Sequence, residues 1–137
     1  TPPSKDIPKY LRKPNGVETD KILFPFDNVK DKSTVILVEG LYDAINMHDL
    51  GYVNTLCIFG TQNFTKAKAK LLDDYGCRRA IIMMDGDTSG SQAAIKINNL
   101  LTQHSIQTAI VELAQGEDPG SLDREYIEEY LKNIIWR

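Results

Sequence analysis

A chain of 137 residues with 42% hydrophobic and 26% charged side chains can build one compact core but not two, and its composition excludes the disordered and membrane-spanning classes. The formal net charge of −3 argues against a domain that holds nucleic acid by bulk charge, so any such contact must be local or metal-assisted. No apolar run is long enough for a bilayer and "TPPSKDIPKYLRKP" has no signal-peptide core, so the expected address is cytoplasmic, with no membrane partner.

Residues 1–32 are rich in Pro, Lys and Asp, lack a sustained period, and read as an arm or the remnant of a preceding subdomain. Within them "KILFPFDNV", residues 21–29, can supply one short strand or an apolar anchor. From Ser33 onward, apolar strand-like runs alternate with helical segments, the pattern of βαβ units around a parallel sheet. The predicted strands are "TVILVE" (34–39), "VNTLCIF" (53–59), "RAIIMMD" (79–85) and "QTAIVEL" (107–113). The first three are nearly continuous apolar runs, as a sheet covered by helices on both faces requires.

Three helices are predicted between the strands. "LYDAINMHDLG" ends at Gly51 and "TKAKAKLLDDYG" at Gly76, each glycine suiting a left-handed helix terminus. Asn63 or Thr65 can cap the second. "SGSQAAIKINNLLTQH" places Ala94, Ile97, Leu100 and Leu101 on one stripe, and a fourth helix follows over "SLDREYIEEYLKNII". The expected fold class is therefore α/β, a Rossmann-like, four-stranded parallel sheet flanked by helices.

Cys57 and Cys77 are too far apart for a CxxC site and read as small apolar fillers; without a Cys or His cluster, a zinc site is not expected. His48 and His104 fall within or at the end of helices, away from the strands' carboxyl edge, and are expected to have surface roles.

In open parallel sheets, ligands bind beyond the carboxyl ends of the strands. Strand one ends in Glu39-Gly40 with Asp43 one turn on, strand three ends in Asp85-Gly86-Asp87, and strand four runs into "AQGEDPG" with Glu117 and Asp118. Each piece alone also fits a solvated turn. Right-handed crossovers bring all these ends to one edge, so the carboxylates of Glu39, Asp85, Asp87 and Asp118 are expected to converge. Two adjacent carboxylates raise each other's pKa unless a cation lies beside them, and oxygen donors without His or Cys select Mg²⁺ or Mn²⁺. Two such ions about 3.5 to 4 Å apart can clamp the attacking and leaving oxygens of a phosphoryl transfer. Strand two ends instead in "FGTQN", where Gly60 and Thr61 offer N–H groups and a hydroxyl suited to a phosphate.

"VILVEGLYDAINM", "FGTQN", "IIMMDGDTSG" and "GEDP", in this order and spacing, resemble the TOPRIM domain of bacterial primases, topoisomerases and some nucleases. The resemblance covers about Val35 to Pro119 and is closest to bacterial DnaG-type and related phage primases. Glu39, Gly40 and Asp43 match their glutamate-glycine followed by aspartate, and Phe59-Gly60-Thr61 resembles their Leu-Gly-Thr-like turn. Upstream, "PKYLRKP" is similar to the Pro-Lys-Tyr-Leu segment that primases carry before this domain. The chain departs from the pattern at Thr88 and Ser91, where basic residues are usual, and at Gly120, where another aspartate is common. It also lacks a Cys-rich zinc module.

The resemblance implies a TOPRIM catalytic domain over residues 33–137, performing Mg²⁺- or Mn²⁺-dependent nucleotidyl transfer that makes RNA primers for DNA replication. The implied partners are single-stranded DNA template, NTPs and a replicative helicase. Asp85 and Asp87 are expected as principal metal ligands, Asp118 as ligand to a second ion, Asp43 as a support through water, and Glu39 as general base or further ligand. Gly60 and Thr61 are expected to cradle a triphosphate. Lys66 or Lys68 could reach it, although both also fit a solvated helix face. The same superfamily offers two rival readings, a metal-dependent nuclease and a non-catalytic module of the recombination-mediator kind that binds DNA or partners.

Overall fold

The computed structural model describes residues 23–137. Of the arm expected over residues 1–32, residues 1–22, with the "PKYLRKP" segment, lie outside the described residues. The remainder folds in the order β1 (Thr34–Val38), α1 (Leu41–Asp49), β2 (Thr55–Cys57), α2 (Lys66–Asp74), β3 (Arg79–Ile82), α3 (Thr88–Thr102), β4 (Gln107–Ile110) and α4 (Arg124–Lys132). The sheet order is β2-β1-β3-β4 and every pairing is parallel, as the alternation of apolar runs and helices requires. Ile36 at the sheet's centre aligns with Thr55 on one side and Ile81 on the other.

Each strand is shorter than its apolar run. A ladder lasts only while its neighbour stays extended, and Phe59, at φ 64°, turns the chain away just beyond β2. The residues after β3 still run beside β1, with Met83 N–H donating to the Leu37 carbonyl at 2.9 Å, and then supply the loop that carries Asp85.

Alternation along the strands divides the core between two faces. Val35, Leu37, Ile58 and Ile82 face α2 and α3, where Leu72, Ile97 and Leu101 are buried. Ile36, Val38 and Met83 face α1 and α4, where Met47 and Ile127 are buried. Leu100, expected on the α3 stripe, is partly buried against the first face. Leu37 is wholly buried, a burial that contributes about 2 kcal/mol.

The expected anchor within residues 21–29 is filled from Leu23 on. Phe24 makes an antiparallel bridge to Cys57 on the outer edge of β2, and Leu23 and Val29 are buried in the core. That bridge shields an edge that would otherwise present unpaired backbone. Thr65 is the N-cap of α2, its hydroxyl accepting the Lys68 N–H at 3.4 Å. Asn63 instead donates its side-chain amide to the Phe59 carbonyl. Gly51 and Gly76 follow α1 and α2 with φ of 101° and 86°, the left-handed geometry expected of them. Among the described residues no helix is long and apolar enough to cross a membrane.

Candidate active site

The carboxyl ends of β1 and β3 and the loop after β4 meet at one rim. Glu39, the residue after β1, ties two loops together. Its side-chain Oε1 accepts the Asp85 N–H at 3.0 Å and its backbone carbonyl accepts the Gly60 N–H at 2.8 Å. Burial holds the Glu39 carboxyl above its usual value, and the charges of Asp87 and Asp118 push the same way.

Asp43 sits in the first turn of α1, where its Oδ2 accepts the Gly40 N–H at 3.1 Å. Its Oδ1 accepts the Gly120 N–H at 2.9 Å, so one carboxylate pins the loop after β4 onto α1. Burial, assisted by Asp118, raises its pKa to about 6. The sequence predicts a water-linked support for a metal; in the structure both oxygens are engaged by backbone donors.

Asp85 is the focus of the rim. Burial raises its pKa to about 7, with further contributions from Asp43, Glu39, Asp118 and Asp87. Its Oδ1 is buried and has no hydrogen-bond partner among the described residues. Asp87 is exposed and caps α3, its Oδ1 accepting the Gly90 N–H at 2.6 Å, while its own N–H donates to the Asp85 carbonyl at 2.9 Å. Close backbone approach explains both neighbouring glycines. A Cβ on Gly86 would lie 2.0 Å from the Ala114 carbonyl oxygen, and one on Gly90 would lie 2.1 Å from that of Asp85.

The loop bearing Asp118 is held by residues that the sequence reading missed. Asn46 of α1 donates to the carbonyls of Pro119 and Leu122 at 2.7 and 3.0 Å. Tyr130 of α4 donates its hydroxyl to Glu117 Oε1 at 2.5 Å, and the same oxygen accepts the Ala114 N–H at 3.1 Å. Glu117 therefore organises the loop from within. Asn46 lies one turn beyond Asp43 and Tyr130 lies beyond the Asp118 loop, and the helical periodicity of both reads as ordinary surface.

At the end of β2, Phe59 and Gly60 both adopt positive φ, and the Thr61 hydroxyl lies 3.3 Å from that of Ser89 in the first turn of α3. The turn is thus brought beside the Asp85–Asp87 loop. Lys66 is exposed at the start of α2. Lys68 corrects the expectation of a solvated helix face: it is wholly buried and donates from Nζ to the Ile58 carbonyl at 2.7 Å. Its place one turn before Leu72 puts it on the core stripe, with its ammonium turned back beneath the β2 turn.

His48 meets the Thr55 carbonyl at 2.8 Å and His104 meets Asp73 at 3.1 Å, both in partly buried contacts away from the rim. Cys57 and Cys77 are buried, their thiols pushed up to about 12 and about 11 chiefly by burial, as apolar fillers should be.

The donor set suits a hard divalent cation. The rim gathers only carboxylates and backbone groups, and among the described residues no ion pair engages Glu39, Asp43, Asp85, Asp87 or Asp118. Asp85 Oδ1 is an acceptor held out of water without a donor, a costly arrangement unless a positive group faces it. The acids feel one another's charge, yet among the described residues no three Asp, Glu, His or Cys side chains already stand at metal-holding spacing. Closing a shell requires side-chain rotation, which the exposed Asp87 can make.

A Toprim-like family profile matches residues 36–122. A DNA primase of Chlamydia muridarum is 30% identical over 147 residues, covering 93% of this chain and 24% of the relative. A DNA primase of Listeria monocytogenes is 32% identical over 136 residues, covering 94% of this chain and 21% of the relative. The chain thus spans about a quarter of the length of the curated relatives it matches. Among solved structures, the zinc-binding and RNA polymerase domains of the Aquifex aeolicus primase superpose with a TM-score of 0.75 at 22% identity, covering 90% of this chain and 32% of that one. A DnaG primase catalytic domain bound to single-stranded DNA superposes with a TM-score of 0.72 at 22% identity, covering 89% and 41%. At these identities the superpositions establish the fold.

Proposed function

The chain belongs to the Toprim-like family, and from that premise we propose that it is the catalytic domain of a DNA primase, performing the nucleotidyl transfer that makes RNA primers. In the reaction, a 3′-hydroxyl oxygen forms a bond to the α-phosphorus of an NTP as the bond to pyrophosphate breaks. Single-stranded DNA is the template, NTPs are the substrates, and a replicative helicase is the expected partner of the longer protein. The relatives named DNA primases favour this reading over a nuclease or a non-catalytic module.

One observation carries the chemistry: Asp85 keeps a buried oxygen without a partner among the described residues, within the electrostatic reach of four other carboxylates. Mg²⁺ or Mn²⁺ would be held by Asp85 and Asp87, with Asp118, steadied by Asp43, at a second position. Bound there, the ions supply charge neutralisation to the phosphates and to the leaving pyrophosphate. The chain's own residues supply position. Glu39 Oε1 is committed to the Asp85 N–H, which fixes the carboxylate and leaves Oε2 to accept the attacking hydroxyl's proton; its raised pKa suits that role. Gly60 and Thr61 stand beside the Asp85–Asp87 loop, where a triphosphate can lie, with Lys66 at the start of the next helix.

Two measurements test the proposal. Mg²⁺ should raise the melting temperature of this chain, and Asp85→Asn combined with Asp87→Asn should abolish the rise; an undiminished rise refutes the ligand assignment. The full-length parent should make oligoribonucleotides on single-stranded DNA only with NTPs and an intact Asp85. Cleavage of DNA in Mn²⁺ without nucleotides would replace the primase reading with the nuclease one.

A further inference from the structure

A groove of about 440 Å³ descends from the rim between α3 and the edge strand β4, within the roughly 300 to 1,000 Å³ span of small-molecule sites. Asp85 and Gly86 form its upper end, Ser91 and Ala94 lie on the α3 side, and Ile110 and Leu113 lie on the other. Asn98 lines it further down. The Asn98 side-chain oxygen accepts the Thr108 hydroxyl, which fixes the amide's orientation, and its Nδ2 makes no hydrogen bond among the described residues. Glu112, Asn99 and Arg137 also line it, so the groove joins the Asp85 end to an apolar stretch of Ala94, Ile110 and Leu113 edged by polar side chains, the Asn98 amide among them.

A triphosphate belongs at the Asp85 end with its cations, but the apolar stretch of Ala94, Ile110 and Leu113 does not suit phosphate. A nucleobase presents flat apolar faces and an edge of ring nitrogens and carbonyls. We propose that this groove receives the nucleoside part of the NTP whose phosphates lie against the Asp85–Asp87 loop. The inference rests on the nucleotidyl-transfer reading and adds to it the place of the base and sugar. The Asn98 amide can donate to a ring nitrogen or carbonyl of the base.

The test compares ATP with inorganic tripolyphosphate, each with Mg²⁺, binding to this chain and read by amide chemical shifts. ATP should bind about tenfold more tightly than tripolyphosphate and should shift the Asn98 side-chain amide. Ser91→Leu, at an exposed position that narrows the groove, and Asn98→Leu, which removes the donor, should each bring ATP down towards tripolyphosphate while leaving the latter unchanged. Equal binding of the two ligands by the unaltered chain, or an ATP advantage that survives both variants, overturns the groove assignment while leaving the rim intact. If neither ligand binds, the nucleotidyl-transfer reading fails and this assignment falls with it.

Discussion

Replacing Asp85 with asparagine should stabilise the metal-free chain at pH 8, although the aspartate is the residue on which the proposed chemistry centres. The folded protein holds this carboxyl at about 7, against an ordinary value of 3.8, first through burial and then through Asp43, Glu39, Asp118 and Asp87. A carboxyl whose pKa is raised by folding favours the folded state while protonated, and that contribution is lost as pH rises from about 4 through about 7. Complete ionisation at this site corresponds to about 4 kcal/mol; solvent at the partly exposed rim screens about half, leaving about 2 kcal/mol. For a domain of this size, that is about 7 °C in melting temperature. Melting curves in chelator should show Asp85→Asn above the parent chain by about this margin at pH 8 and level with it near pH 4. Saturating Mg²⁺ should reverse the order at pH 8, because only the parent chain gains from the ion. Equal melting temperatures in chelator at pH 8 would refute the premise that the rim confines mutually repelling carboxylates.

Gly86→Ala should cost about 1 to 3 kcal/mol in urea unfolding, since the new methyl would have to displace the Ala114 carbonyl. Lys68→Ala should destabilise by about 2 to 4 kcal/mol in the same assay, because it empties a core position and removes the donor to the Ile58 carbonyl. Cys57 and Cys77 should resist iodoacetamide at pH 8 in the native chain and react promptly in denaturant, because both are buried and their pKa values lie well above that pH.

The sheet and the identity of the rim acids were legible because both depend on local pattern. Apolar runs such as residues 79–85 mark strands, and acids directly after them fall on one edge. The ends of the strands were not legible: β2 pairs over three residues because of the turn at Phe59 and Gly60, which periodicity does not reveal. Lys68 was misread by residue type although its position was informative, one turn before the buried Leu72 on the stripe that also carries Ala69. Asn46 was beyond reach for a different reason. Its partners lie 73 and 76 residues away, and nothing local marks an amide that will close such a span.

Wholly parallel pairing also governs how the protein comes into being. No two neighbouring strands can join by a hairpin, so each contact waits for an intervening helix, and β1 must hold its place until β3 arrives more than forty residues later. The Asp118 loop follows β4, the last of the four strands, so the acids that β1 and β3 carry are joined by Asp118 only after the sheet that positions them has been laid down.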